Sequence, residues 1–258
     1  MRNLFGFLSA AFRRAFLPRR SSSRASLRFL SVCAAFPAFC LTAFCGCAKN
    51  TSDLFSRVSE LRDNVLIAES DADGEHDYHL CVYSYLREQP LISDGATGKA
   101  ERVAEFYFTA KDGSDTYVLR YVLPGTEKEG GGELSYDDVK RQYYLICSED
   151  LSDVASLDAT VTNEKTKKEI SFHATGAKND KTLSPREILS VFESAENEKI
   201  SSLTTNGVFR GEIRMRLIIS EEKPYYYVGI IDEKGSTFSY LLNGETGKIL
   251  ARRESDDT

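Results

Sequence analysis

The sequence lacks several residues and segments on which common protein functions depend. It contains no tryptophan and only three histidines among 258 residues. Beyond residue 46 it has no hydrophobic run long enough to cross a bilayer, so at most one end of the chain is expected to contact a membrane. With 41% hydrophobic and 28% charged residues, the chain can nevertheless bury at least one core.

Acidic residues are absent from the first 47 positions, which hold seven arginines. The rest of the chain carries 26 basic and 39 acidic residues, a formal net charge of −13. Such an acidic body argues against nucleic-acid binding. The body also lacks a nucleophile elbow, a phosphate-binding loop, a dinucleotide fingerprint and a zinc-protease motif. We therefore expect a non-catalytic protein with no cofactor.

The N-terminal region has the layout of an export signal. Residues 1–28 are basic and rich in serine, and residues 29–46 form an uncharged apolar run, which predicts a signal peptide over residues 1–46. The tetrapeptide at 44–47, Phe-Cys-Gly-Cys, resembles a bacterial lipobox. In that family the last cysteine becomes the first residue and carries a diacylglycerol. The resemblance implies that Cys47 anchors the protein to the extracytoplasmic face of the cell membrane.

Three other interpretations of this region stay open. The apolar run could remain as an uncleaved transmembrane anchor, although Pro37 in its middle disfavours a straight helix. The basic start could belong to an organelle transit peptide, although such peptides do not end in an apolar run and a cysteine. The basic part is also long for a signal, so translation could start further downstream.

The middle of the chain has the pattern of short strands. Residues 47–63 are predicted to form a tether and a short amphipathic helix, because their apolar residues recur with helical spacing. Residues 64–174 contain six or seven segments rich in valine, isoleucine, tyrosine and phenylalanine, which predicts an antiparallel β-sandwich-like domain. Within it, residues 125–132 contain three consecutive glycines and are predicted to be a flexible loop.

Only Cys81 and Cys147 lie in the body of the chain, in predicted strands 66 residues apart. This separation would suit a disulfide between two sheets of an immunoglobulin-like sandwich. The fuller immunoglobulin signature is missing, since the chain has no tryptophan and Leu145 stands where that signature has tyrosine. Two buried free thiols are the alternative interpretation.

The C-terminal part is predicted to be an α+β domain over residues 184–258, after a linker at 175–183. Ser184 can cap a helix whose first turn holds a proline and whose Glu187 can reach back to the cap. Residues 208–219 then alternate between hydrophobic and charged side chains, and further strand-like runs follow. The expected fold class is α+β and β-rich, with the sandwich-like domain followed by a helix and an antiparallel meander.

Two segments near the C-terminus, 224–231 (PYYYVGII) and 240–250 (YLLNGETGKIL), resemble a PepSY-type domain. They depart from that family at Asn243 and Gly244, where aspartate and alanine are common. The resemblance implies a non-catalytic module of peptidase propeptides and cell-envelope proteins, thought to bind or restrain peptidases, with no catalytic residues to carry over. With its lipobox and β-rich middle, the chain also looks like lipoproteins of Gram-positive bacteria that end in such a domain.

The clearest candidate for a binding surface is a set of tyrosines and arginines on neighbouring predicted strands. Its members are Arg210, Arg214, Arg216, Tyr225, Tyr226 and Tyr227. Tyrosine and arginine on an open sheet face favour contacts with a partner. The alternative is that one or two of the tyrosines pack under the helix and that the arginines keep the sheet soluble, paired with Glu212 and other acidic residues.

No metal site is expected from the histidines or the acidic residues. His76 and His79 are three residues apart, and on a strand such residues point to opposite faces. The acidic run at 71–77 lacks the bidentate glutamate of a calcium loop, since Val82 stands at that position. An acidic turn is the better interpretation.

These features together predict a lipid-anchored protein that acts by binding at the cell envelope. The expected partners are the membrane, through the anchor, and an envelope protein or peptidase. Two alternative functions stay open: a modulator of a secreted peptidase, and a hydrolase with a dispersed site.

Overall fold

A computed structural model describes residues 53–70, 78–88, 96–110 and 113–255. The predicted signal peptide, Cys47 and the acidic run with His76 lie outside the described residues. The described residues belong to one compact unit.

The described elements are mostly strands, numbered here in chain order. They are β1 (Val58–Ser70), β2 (Tyr78–Glu88), β3 (Ala100–Thr109), β4 (Tyr117–Val122), β5 (Glu129–Glu133), β6 (Ser135–Asp137), β7 (Gln142–Cys147), β8 (Ser156–Asn163), β9 (Glu169–Gly176), β10 (Thr204–Thr205), β11 (Val208–Phe209), β12 (Gly211–Ser220), β13 (Lys223–Asp232), β14 (Thr237–Asn243) and β15 (Ile249–Ser255). The helices are a 3-10 turn (Leu54–Arg57), α1 (Pro185–Ala195) and α2 (Asn197–Ser202).

Most strands belong to one sheet, which is antiparallel for the most part and nearly closed like a barrel. Neighbouring strands follow the order β4-β8-β9-β1-β2-β3-β7-β6. β5 pairs with the other side of β4 and continues through Leu134 into β6, which pairs with β7. The segment 129–137 therefore pairs with β4 at one end of this strand order and with β7 near the other, so the sheet nearly closes on itself.

β1 connects the barrel-like part to the C-terminal strands. Its second half pairs with β9, whereas its first half pairs in parallel with β12. A bulge between Arg62 and Asn64 separates the two halves. From β12 the sheet continues antiparallel through β13, β14 and β15.

Two hydrophobic clusters stabilise this arrangement. The first fills the interior of the barrel-like part and includes the fully buried Phe106 and Phe108. The second includes Phe192 of α1, Met215 of β12 and Val228 of β13. Because aromatic side chains occupy the barrel interior, that part of the fold is a packed core.

α1 begins where the sequence predicts a helix. The backbone N–H of Glu187 donates to Ser184 Oγ, and the Glu187 carboxylate accepts from the Ser184 N–H at 2.8 Å, so a capping box is formed. The apolar face of the 11-residue helix packs into the second cluster. Within the described ranges, no helix is long and apolar enough to span a bilayer.

The predicted fold class, a β-sandwich-like domain followed by an α+β unit of helix and meander, is wrong. The structure is strand-rich, and one nearly closed sheet replaces the expected two packed layers. The physical reason is that one half of β1 pairs with β9 and the other half pairs with β12. β1 thereby joins the strands of the two predicted domains into one sheet. Hydrophobic periodicity identifies strands but does not specify such partners.

Two local predictions also differ from the structure. The segment predicted to be an amphipathic helix is one 3-10 turn followed by β1 from Val58, although Leu54 and Leu61 are still buried in the second cluster. The segment 125–132, predicted to be a flexible loop, overlaps β5.

Two of the three glycines of β5, Gly130 and Gly131, are required because the ring of Tyr121 and the backbone of β4 approach them closely. A Cβ on Gly130 would overlap the ring of Tyr121, and a Cβ on Gly131 would overlap the carbonyl oxygen of Leu119. Gly131 also has a φ of 143°, which residues with a side chain rarely adopt. Consecutive glycines predict a loop because ordering them costs conformational entropy. In the structure, Gly130 and Gly131 instead permit β5 to pair with β4.

We expect Gly131→Ala to reduce the free energy of unfolding by about 2–4 kcal/mol, because the backbone at Leu119 would have to move. Gly132→Ala is the matched control, since a Cβ there would lie at an ordinary 3.6 Å from Leu145. The control should change stability by less than about 1 kcal/mol. Urea unfolding measures both variants, and equal destabilisation would contradict this account of β5.

Candidate functional site

One face of the sheet carries a network of arginines, tyrosines and buried carboxylates. Because side chains alternate along β12, β1, β2 and β3, these residues share the face opposite Met215, which packs toward α1. We call it the arginine–tyrosine face. Its members are Glu60, Arg62, Tyr83, Tyr85, Arg87, Glu105, Tyr107, Glu212, Arg214, Arg216 and Tyr227.

Three ion pairs of this face share one arrangement, with the carboxylate beneath and the guanidinium nearer to solvent. The pairs are Glu60 with Arg216, Glu105 with Arg87 and Glu212 with Arg214. The carboxylate side chains are 2%, 6% and 0% exposed, against 30%, 18% and 11% for their partners. Since a buried carboxylate requires a partner, each glutamate holds one arginine in place.

The pair of Glu60 and Arg216 joins β1 to β12. Arg216 Nη2 donates to Glu60 Oε2 at 2.8 Å, and Arg216 Nε donates to Glu60 Oε1, so the contact is bidentate. Burial lowers the pKa of Arg216, but the hydrogen bonds and charge of Glu60 outweigh it and raise that pKa overall. The guanidinium therefore stays charged.

Glu212 is the most buried member of the face. Its Oε1 accepts from Arg214 Nε at 2.8 Å and from Ser59 Oγ at 3.1 Å. Its Oε2 is buried and accepts no hydrogen bond from the described residues. Burial raises the pKa of Glu212 above its ordinary value, against the lowering effects of Arg214 and Ser59.

Arg62 is held by neutral groups. Its Nε donates to the carbonyl oxygen of Leu217 at 2.7 Å, and its Nη1 donates to Tyr85 Oη at 3.3 Å. Its guanidinium carbon lies 4.4 Å from the centroid of the Tyr83 ring, a cation–π contact. These contacts fix the side chain without neutralising its charge.

A row of tyrosines extends the face across β2, β3 and β7. The ring centroid of Tyr107 lies 5.5 Å from that of Tyr83 and 6.5 Å from that of Tyr144, and all three side chains are partly exposed. Tyr107 donates to Glu105 at 3.0 Å, and Lys140 Nζ lies 4.9 Å from its ring centroid. Aromatic rings beside cations are typical of contact surfaces.

The structure brings together only some of the residues predicted to form a binding surface. Those on the arginine–tyrosine face are Arg214, Arg216 and Tyr227. Tyr225 lies on the same side of β13 and is buried. Tyr226 points to the opposite side, where its hydroxyl donates to a backbone carbonyl at 3.1 Å in front of α1. Arg210 precedes β12 and is exposed.

Sequence reasoning missed the contribution of the N-terminal strands to this face. Glu60 and Arg62 lie in a segment that the sequence predicts to be helical. Glu105 and Tyr107 lie in the region that the sequence predicts to contain short strands, where no partner for them was predicted. The sequence does place a charged residue, Glu60 or Glu105, within each of these partly hydrophobic segments. Such a charge indicates a partner on a neighbouring strand.

The structure holds Cys81 and Cys147 apart as free thiols. They lie on β2 and β7, with β3 between them, opposite Tyr107 and Ala104, whose side chains point to opposite faces of β3. Two strand spacings amount to about 9.6 Å, which exceeds the reach of a disulfide. Burial raises the pKa of both thiols.

The histidines of the described segments lie in simple surface pairs. His173 Nδ1 is 2.6 Å from Asp158 Oδ1, and His79 Nδ1 is 3.4 Å from Glu69 Oε1. No described hydroxyl is hydrogen-bonded to the His173 ring, as a catalytic triad would require. Among the described residues, no three His, Cys, Asp or Glu side chains are grouped to hold a metal ion.

Comparisons of the chain with protein-family models, with curated proteins and with solved structures find no match. The likenesses to a lipobox and to a PepSY-type domain therefore stay expectations that rest on short motifs. The arginine–tyrosine face is the feature of the described residues on which a functional proposal can rest.

We expect Glu212 to make the folded protein less stable as pH rises. Because burial raises its pKa above the ordinary value of 4.5, its contribution to stability is complete below that pH and is lost as pH rises through the folded-state pKa. Glu212→Gln keeps the shape of the side chain without its charge. As pH rises above 4.5, the free energy of unfolding of the wild type should therefore fall relative to that of the variant.

Denaturant unfolding at a series of pH values measures this difference. Glu233→Gln, in an exposed turn, is the control and should follow the wild-type curve. A Glu212→Gln advantage that shrinks with rising pH would contradict the interpretation.

Proposed function

We propose that this protein is exported, anchored by lipid at the extracytoplasmic face of the cell membrane, and acts by binding a component of the cell envelope through its arginine–tyrosine face. The observation that carries the binding role is the layering of this face, where buried carboxylates hold guanidiniums near the surface beside partly exposed tyrosines. Side chains fixed before binding lose little conformational entropy when a partner arrives.

The chemistry of the face suits recognition. Glu60, Glu105 and Glu212 are each engaged by an arginine. What the face offers to a partner is therefore a set of N–H donors and aromatic surface. Arginine and tyrosine are the residues that most often dominate binding energy in contact surfaces.

The location is supported by the N-terminal sequence. A basic start, an apolar run and a cysteine followed by a polar segment form the signal of a lipid-anchored exported protein. The net charge of −13 over the body would keep the folded unit soluble beside the membrane.

The location is tested by the intact mass of the mature protein extracted from the membranes of its native host. We expect the mass of residues 47–258 plus a diacylglyceryl group and an acyl chain, because lipidation would occur on the new N-terminal cysteine. Cys47→Ala should abolish the lipid, whereas Cys45→Ala should retain it. A soluble, unlipidated wild type would contradict the lipobox interpretation.

The binding role is tested by sedimenting envelope fragments of the host with the unit of residues 48–258, produced without its signal. Tyr107→Ala combined with Tyr144→Ala should reduce the bound fraction about fivefold or more, because two aromatic contacts are lost. Val122→Ala, exposed on β4 away from this face, is the control and should bind like the wild type. Equal binding of all three proteins would exclude the face as the site.

A further inference from the structure

Two arginines lie side by side on the arginine–tyrosine face. Arg62 of β1 and Arg216 of β12 are directly opposite in the parallel register. Like charges in such positions repel each other. Within the described part of the chain, Glu60 is paired with Arg216, and Arg62 contacts neutral groups. The two arginines together therefore keep an excess of positive charge.

Both guanidiniums keep unused hydrogen-bond donors. A guanidinium carries five N–H groups. Arg62 uses Nε and Nη1 for Leu217 and Tyr85, and Arg216 uses Nε and Nη2 for Glu60. Arg62 Nη2 and Arg216 Nη1 donate to no acceptor among the described residues, and both side chains are partly exposed.

A tyrosine ring lies beside each of the two guanidiniums. The charges of Arg62 and Arg216 both act on Tyr85, although burial is the larger effect and raises its pKa. The guanidinium carbon of Arg216 lies 5.7 Å from the ring centroid of Tyr227, and that of Arg62 lies 4.4 Å from Tyr83. The positions of both cations are therefore set by the fold.

We propose that Arg62 and Arg216 form a binding site for a phosphate group of an envelope component, an inference that rests on the proposed function. A phosphate group presents more acceptor oxygens than a carboxylate, so it can accept from both guanidiniums and balance their excess charge. A carboxylate has only two acceptor oxygens and a single charge, so it can satisfy fewer of these N–H groups than a phosphate can.

Phosphate groups reach such a site either on a soluble molecule or on a lipid headgroup, and two arms of one experiment separate these sources. The unit of residues 48–258 is first checked for a single cooperative unfolding transition. It is then dialysed against inorganic phosphate and sedimented with phosphatidylcholine vesicles with and without phosphatidylglycerol, all at constant ionic strength.

We expect binding to inorganic phosphate, to vesicles that contain phosphatidylglycerol, or to both, and each of these results supports the site. Acetate at the same ionic strength should not compete. Binding in neither arm, or full competition by acetate, would overturn the proposal.

Variants assign the binding to the two arginines. Arg62→Gln should weaken it at least about tenfold. Arg216→Gln alone would leave Glu60 buried without a partner, so Arg216→Gln is combined with Glu60→Gln, which should weaken binding similarly in a folded protein. Arg120→Gln removes the same charge from an exposed position on β4 and should stay within about twofold of the wild type. Equal weakening by all variants would overturn the assignment.

This proposal can fail while the proposed function stands. If Arg62→Gln leaves phosphate binding unchanged but Tyr107→Ala with Tyr144→Ala still reduces envelope binding, only the phosphate site is overturned. If the tyrosine variant binds envelope fragments like the wild type, the function itself is overturned.

Discussion

The fold depends on β1 and on the bulge at which that strand changes partners. Before the bulge Leu61 contributes to the cluster under α1, and after it Leu66 contributes to the interior of the barrel-like part. Arg57 and Arg62 each donate to a backbone carbonyl of β12, so side chains reinforce the parallel pairing. Because a shift of one residue would reverse every side chain, the register of β1 governs both cores at once.

The arginine–tyrosine face is a consequence of this pairing. Glu60 and Arg216 are 156 residues apart in the chain and meet only when β1 lies beside β12. Burying a carboxylate is unfavourable unless a cation and hydrogen bonds compensate for it, and a wrong register would leave Glu60 and Glu212 without their partners. The same ion pairs therefore help to specify the fold and position the groups that we infer to bind.

A locally cationic and aromatic face on an acidic protein is compatible with the role that we propose at the membrane. The acidic body favours solubility, whereas we propose that the two arginines with unused donors bind an anionic group at one place. Because their carboxylates lie beneath them, the arginines are presented in defined positions, and a ligand need not order them. Arg216 can therefore stabilise the fold through Glu60 and also take the binding role that we propose for it.

Local features of this protein were determined by its sequence. β2 lies in the region predicted to contain short strands, and the cap at Ser184 begins α1, because periodicity and capping chemistry act over a few residues. The choice of strand partners, the use of glycines in β5 and the meeting of Glu60 with Arg216 were decided by tertiary structure. Each depends on which distant backbone lies alongside, a condition that closure of the sheet imposes and that no local pattern contains.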